Sequence, residues 1–180
     1  MLLSIPPHTR YGYPYMYFDP RPKTRKEDLY DREKELEQFS SALPYAPLIV
    51  ITGLRRTGKT SFLNVALAEA NQPYAVLDLR GLPYNPSRAD IVRRLETAFN
   101  RIDRRWFSGL SDTLRHLKGV SILGNEVSFD WSKAGVDLPD LFGKVDAWAS
   151  KNKKRFLMAF DEIQLVRGDK WIPRLFAHVV

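Results

Sequence analysis

An unbroken apolar run, Leu48-Ile49-Val50-Ile51, precedes a stretch with helical apolar spacing through Phe62, Leu63, Ala66, Leu67 and Ala70. Between them lies Gly53-Leu54-Arg55-Arg56-Thr57-Gly58-Lys59-Thr60, which fits the spacing G-x-x-x-x-G-K-[ST]. An accidental match in a chain this long is on the order of 1% at average residue usage. Each position has a physical task. Gly53 and Gly58 permit backbone angles and approaches that a Cβ would obstruct. Successive N–H groups of Leu54, Arg55, Arg56 and Thr57, continuing to Ser61, form a nest for anionic oxygens. The helix that follows adds unpaired donors and the positive end of its dipole. Lys59 is expected to reach the β- and γ-phosphates and the Thr60 hydroxyl to ligate Mg²⁺. The bland alternative is a glycine-rich turn with a solvated lysine. The side chains of Arg55 and Arg56 are expected to be exposed.

A second signal is Phe156-Leu157-Met158-Ala159-Phe160-Asp161-Glu162. An apolar strand ending in acids delivers carboxylates to the carboxyl edge of a sheet, where ligands bind in open α/β folds. Asp161 is the candidate for holding Mg²⁺ and Glu162 for polarising an attacking water. Asp78 closes another apolar run on the same edge; it either orders the metal shell or caps Arg80. Gln164 faces either the γ-phosphate or solvent.

The rest of the chain supplies the frame. Residues 1–28 read as an irregular arm, with Pro6, Pro7, Pro14, Pro20 and Pro22 and a run of tyrosines at Tyr11, Tyr13, Tyr15 and Tyr17. Residues 29–180 read as one domain. Asp31 is expected to cap a helix over Arg32–Leu43, with Leu36, Phe39 and Leu43 inward. Leu48–Ile51 is expected to be a strand buried on both faces, and Tyr74–Leu79 and Phe156–Phe160 two more. Ser87 with Asp90 forms a capping box ahead of Ile91, Val92, Leu95, Ala98, Phe99 and Ile102 at helical spacing. Further helices are expected over Trp106–Leu117, around Leu141–Ala149 and from Pro173. Val120–Leu123, a Gly124-Asn125 turn and Val127–Trp131 read as a hairpin inserted at one sheet edge. Strands alternating with helices predict an α/β fold: three layers, helices on both faces of a mainly parallel sheet.

Composition removes several classes. There are no cysteines, so disulfides and thiolate zinc sites are excluded. His8, His116 and His178 have no metal-like spacing. No apolar run nears the roughly 20 residues that span a bilayer, and Pro6-Pro7 interrupts the short apolar start before it can act as a secretory signal. The cytoplasm is the expected compartment. The net charge of +7 is compatible with a polyanion partner. Arg93, Arg94, Arg101, Arg104 and Arg105 make a basic helical region that reads as a solvated face or a nucleic-acid contact.

Together these segments resemble the archaeal ATPase family of the AAA-related, STAND-like phosphate-loop class. Phe18-Asp19-Pro20-Arg21-Pro22 through Glu33-Lys34-Glu35-Leu36 is similar to the family's opening signature, Ile51–Ser61 to its phosphate loop, Asp161-Glu162-Ile163-Gln164 to its Walker B end, and Gly124-Asn125-Glu126-Val127 to its hairpin insertion. The resemblance covers nearly the whole chain. It implies that Tyr30, Asp31 and Arg32 lie near the adenine, that Lys59 and Glu162 are catalytic, that Thr60 and Asp161 bind Mg²⁺, and that the source is archaeal. Family members continue further, with two more core strands, a sensor residue, a helical lid and often a winged helix, whereas this sequence ends 18 residues after Glu162. The resemblance therefore implies an incomplete domain, and a homo-oligomer or a missing C-terminal region to cover the edge left on the phosphate-loop strand. The functions in contention are an ATPase, a nucleotide-binding switch or remnant without turnover, and a nucleic-acid-associated module.

Overall fold

The computed structural model describes residues 21–83, 85–123, 126–129 and 137–165. Its elements run α1 (Glu33–Ala42), α2 (Lys59–Glu69), β1 (Tyr74–Asp78), α3 (Arg88–Phe99), α4 (Arg104–Leu114), β2 (Val120–Leu123), β3 (Glu126–Phe129), α5 (Leu138–Lys151) and β4 (Leu157–Asp161). The tyrosine run, the start of the opening signature, the Gly124-Asn125 turn, Trp131 and the helix expected from Pro173 lie outside the described residues.

β1 and β4 pair in parallel, with Tyr74 opposite Leu157 and Asp78 opposite Asp161. Because strand side chains alternate between faces, the pair sorts its residues into two cores. Ala75, Leu77, Leu79, Met158 and Phe160 face α3, α4 and α5. Tyr74, Val76, Leu157 and Ala159 face α1 and α2 with Leu36, Phe39, Phe62 and Val65. The fold is therefore α/β with helices on both faces of a parallel pair, as the alternation of elements predicts. Phe39 meets Phe62 edge-on at 6.3 Å across the α1–α2 contact, a geometry aromatic quadrupoles favour. Phe99 stacks on Phe156 at 5.9 Å on the other side.

Local chemistry sets several boundaries. Ser87 and Asp90 form the expected capping box, each side chain accepting from the other's backbone N–H. Asp103 accepts from the Arg105 amide at 2.9 Å and so starts α4 earlier than Trp106. α3 stops at Phe99, and Ile102 is buried from the turn that follows. β4 is half-buried along its whole length.

Three expectations need correction. Leu48–Ile51 is not a strand buried on both faces. Ile49 and Ile51 pack into the α1–α2 core, but Leu48 and Val50 are 55% and 70% exposed. A strand needs a ladder partner, and none of the described strands supplies one to this segment: β1 and β4 pair with each other. Asp31 is not the cap of α1. It takes a left-handed conformation (φ 53°), and Arg32 occupies the cap position without a side-chain cap bond. The hairpin is not an insertion at the edge of the parallel sheet. β2 and β3 form a separate antiparallel sheet, with Leu123 opposite Glu126. It is held on α3 by Asn100, whose amide oxygen accepts from Val127 N at 2.7 Å and whose amide nitrogen donates to Val127 O at 3.0 Å.

Candidate functional site

The turn from Gly53 to Gly58 is exposed and leads into α2. Gly58 stands at the cap position with φ 80°, where only glycine sits without strain, and α2 begins with no side-chain cap bond. The Lys59 ammonium curls back over the turn and donates to Gly53 O at 3.0 Å and Leu54 O at 2.8 Å. Thr57 Oγ1 donates to Leu54 O at 2.8 Å. The turn is thus open to solvent, ordered by its own polar groups, and has its cation directed into it. Ser61 faces elsewhere: its hydroxyl accepts from the Lys23 amide at 3.0 Å, tying the incoming chain to α2.

Thr60 stands one residue past Lys59 and donates to Asp161 at 3.1 Å (Oδ2) and 3.4 Å (Oδ1). A hydroxyl and a carboxylate so placed are the hard oxygen donors that Mg²⁺ takes alongside phosphate and water. Among the described residues no group of three or more His, Cys, Asp or Glu side chains forms a protein-only cation cage. Asp161 Oδ1 also accepts from the Glu162 amide at 3.0 Å. Glu162 is left-handed (φ 59°) and its carboxylate accepts from Gln164 Nε2 at 2.5 Å.

Asp31 and Arg56 share the left-handed conformation with Glu162 (φ 53° and 64°), as do Asn71 and Lys153 away from the site. Arg32 links the segments of Asp31 and Arg56. Its guanidinium donates to Glu35 at 2.6 Å and to Thr57 O at 3.3 Å, so the start of α1 is brought against the phosphate loop. An open, mostly charged concavity at the start of α1 is lined by Tyr30, Asp31, Arg32, Glu33, Lys34, Glu35 and Gln38, with no residue of the 53–60 turn among them. Tyr30 is 92% exposed.

On the neighbouring strand Asp78 binds Arg80 in a fork, with Arg80 Nε at 2.8 Å from Oδ1 and Nη2 at 2.6 Å from Oδ2. The bond to Arg80 holds the Asp78 carboxyl below its ordinary range, against a smaller opposing effect of burial. Of the two roles open to Asp78, the described contacts are those of Arg80's partner. In the sequence Arg80 stands out only as a residue for Asp78 to cap. The spacing Asp78-Leu79-Arg80 just beyond an apolar strand was the available signal.

A strand-edge carboxylate bonded to the first turn of a helix that follows a phosphate loop defines a Walker-type, phosphate-loop fold. No protein-family model and no curated protein matches the chain. Among solved structures it is similar to the Walker-type ATPase of the archaeon Pyrococcus abyssi, with 27% sequence identity, a TM-score of 0.62 and 91% of this chain covered. The chain spans 45% of the length of that protein. Among the described residues no helix is long and apolar enough to cross a membrane.

Proposed function

We propose that this chain binds Mg-ATP at the Gly53–Thr60 loop and hydrolyses it, as part of an archaeal ATPase of the AAA-related, STAND-like class. The observation that carries the reading is the convergence of Lys59, Thr60 and Asp161 at one end of the parallel strands. On this reading Lys59 leaves the carbonyls of Gly53 and Leu54 for phosphate oxygens, a stronger charge-assisted pairing. Thr60 and Asp161 would hold Mg²⁺, which supplies charge neutralisation at the phosphates when bound. Glu162 orients the attacking water and takes its proton. Tyr30, Asp31 and Arg32 stand near the adenine on this reading, supported by the Arg32 bond to Thr57 O in the loop. Homo-oligomerisation or a further C-terminal region covers the bare Leu48–Ile51 segment, and the cytoplasm is the compartment.

One observation favours a second reading, nucleotide binding without turnover: the Glu162 carboxylate is already engaged by Gln164. Phosphate release from Mg-ATP separates the two. Turnover by the natural chain that Glu162→Gln abolishes while binding persists supports hydrolysis. Binding without release by the natural chain supports the switch. A nucleic-acid role rests on the basic helical region. It is weakened because Arg94 is spent on Arg80 O at 2.6 Å and Arg105 on Asp103 and the Trp106 ring.

A further inference from the structure

Arg80 is a charged side chain held with more care than its exposure justifies. Its side chain is 55% exposed and that of Asp78 31%. A pair so open to water adds little stability, yet everything around it fixes its place. The Arg80 amide donates to Asp78 Oδ1 at 3.0 Å, and its carbonyl accepts from Arg94 Nη2 at 2.6 Å. Gly81, left-handed at φ 72°, turns the chain immediately afterwards. The parallel register sets Asp78 beside Asp161, and the Leu79 amide donates to Asp161 O at 3.2 Å. Arg80 therefore stands one strand over from Glu162, on the same carboxyl edge.

The guanidinium retains donors. Asp78 takes Nε and Nη2, and an arginine has five N–H groups in all. The bond to Asp78 raises its proton affinity first, and the charges of Asp161 and Glu162 add to the effect. Phosphoryl transfer gathers negative charge on the γ-phosphate oxygens, and a cation fixed beforehand stabilises that charge without reorganising.

We infer that Arg80, aimed by Asp78, is a cis-acting cation for the transferring phosphoryl group of this site. The inference rests on the nucleotide reading above. It assigns Arg80 a task that the phosphate loop, Asp161 and Glu162 leave unfilled. Lys59 serves the phosphates from the loop side, and Arg80 serves them from beyond the end of β1, the strand paired with β4.

Calorimetric titration tests this without requiring turnover. Mg-ADP and Mg-ADP with aluminium fluoride, which mimics the transferring phosphoryl group, are each titrated into the natural chain, Arg80→Met, Arg80→Lys and Asp78→Asn. The natural chain is expected to bind the fluoride complex about tenfold or more tighter than Mg-ADP alone, as transition-state mimics do. Arg80→Met is expected to keep Mg-ADP affinity within about twofold and to lose most of the fluoride-dependent gain. Arg80→Lys is expected to keep part of it, and Asp78→Asn to lose part through a misaimed guanidinium. Mg-ADP binding doubles as the check that each variant is folded. A full fluoride gain in Arg80→Met overturns the inference, as does equal weakening of both ligands or a natural chain with no gain at all. A natural chain that binds neither ligand overturns the phosphate-loop reading itself, a result distinct from failure of Arg80 alone.

Discussion

Thr60 Oγ1 and Asp161 Oδ2 lie 3.1 Å apart although 101 residues separate them in sequence. The bond joins the first turn of α2 to the last residue of β4, and it does so at the sheet edge where open α/β folds bind ligands. Two candidate Mg²⁺ ligands, one found from the phosphate-loop spacing and one from an acid ending an apolar run, are thus direct neighbours.

Removing the hydroxyl isolates this bond. Thr60→Val keeps the shape, and the site is half-buried rather than sealed. The melting temperature is expected to correspond to a loss of no more than about 1 kcal/mol, the usual worth of one hydrogen bond. Nucleotide affinity, by contrast, is expected to lose its dependence on Mg²⁺. Titration of ATP with Mg²⁺ and with chelator checks this; an undiminished Mg²⁺ effect in Thr60→Val removes Thr60 from the metal site.

A buried ring and an exposed apolar side chain give a stability contrast. Phe99 is fully buried against Phe156, so Phe99→Ala is expected to cost about 3–5 kcal/mol. Val50, 70% exposed, is expected to tolerate Val50→Ser within about 0.5 kcal/mol. Urea unfolding followed by circular dichroism measures both. A large loss at Val50 would restore the buried strand that its apolar run suggests.

Asp78 gives a pH signature. Its carboxyl titrates below the ordinary 3.8 because of the bond to Arg80, so the folded chain binds that proton less readily than the unfolded chain does. Its contribution is complete above 3.8 and is lost as pH falls through the lower folded value. The group is partly exposed, so solvent screening limits the effect to a fraction of about 1 kcal/mol. The urea midpoint of the natural chain is expected to exceed that of Asp78→Asn at about pH 6 and to converge with it as the pH falls below the ordinary carboxylate range. A difference that persists unchanged in acid would assign it to something other than this ionisation.

The contrast between what was legible and what was not follows from where the signal resides. The Gly53–Thr60 spacing, the Ser87–Asp90 box and the acid at the end of β4 are local patterns, and each fixes local geometry. Alternation in β1 and β4 sorted their side chains between two cores, which local spacing also encodes. Leu48–Ile51 failed because an apolar run reports a wish for burial, while a strand requires a partner elsewhere in the chain. Asp31 failed because residue type suits a cap but backbone angle decides it, and at φ 53° the cap passes to Arg32. The place of Arg80 one strand over from Asp161 depends on register, and the link from Arg32 to Thr57 O on a 25-residue separation, which no window along the sequence contains.

The claim on which all else stands is that the Lys59 ammonium, now on the carbonyls of Gly53 and Leu54, exchanges them for a polyphosphate. Calorimetric titration of Mg-ATP into the natural chain and into Lys59→Ala addresses it. Saturable binding by the natural chain, weakened about 100-fold or more in a Lys59→Ala chain that melts at an unchanged temperature, is the expected outcome. Equal affinity in the two chains, or none in the natural one, would contradict it.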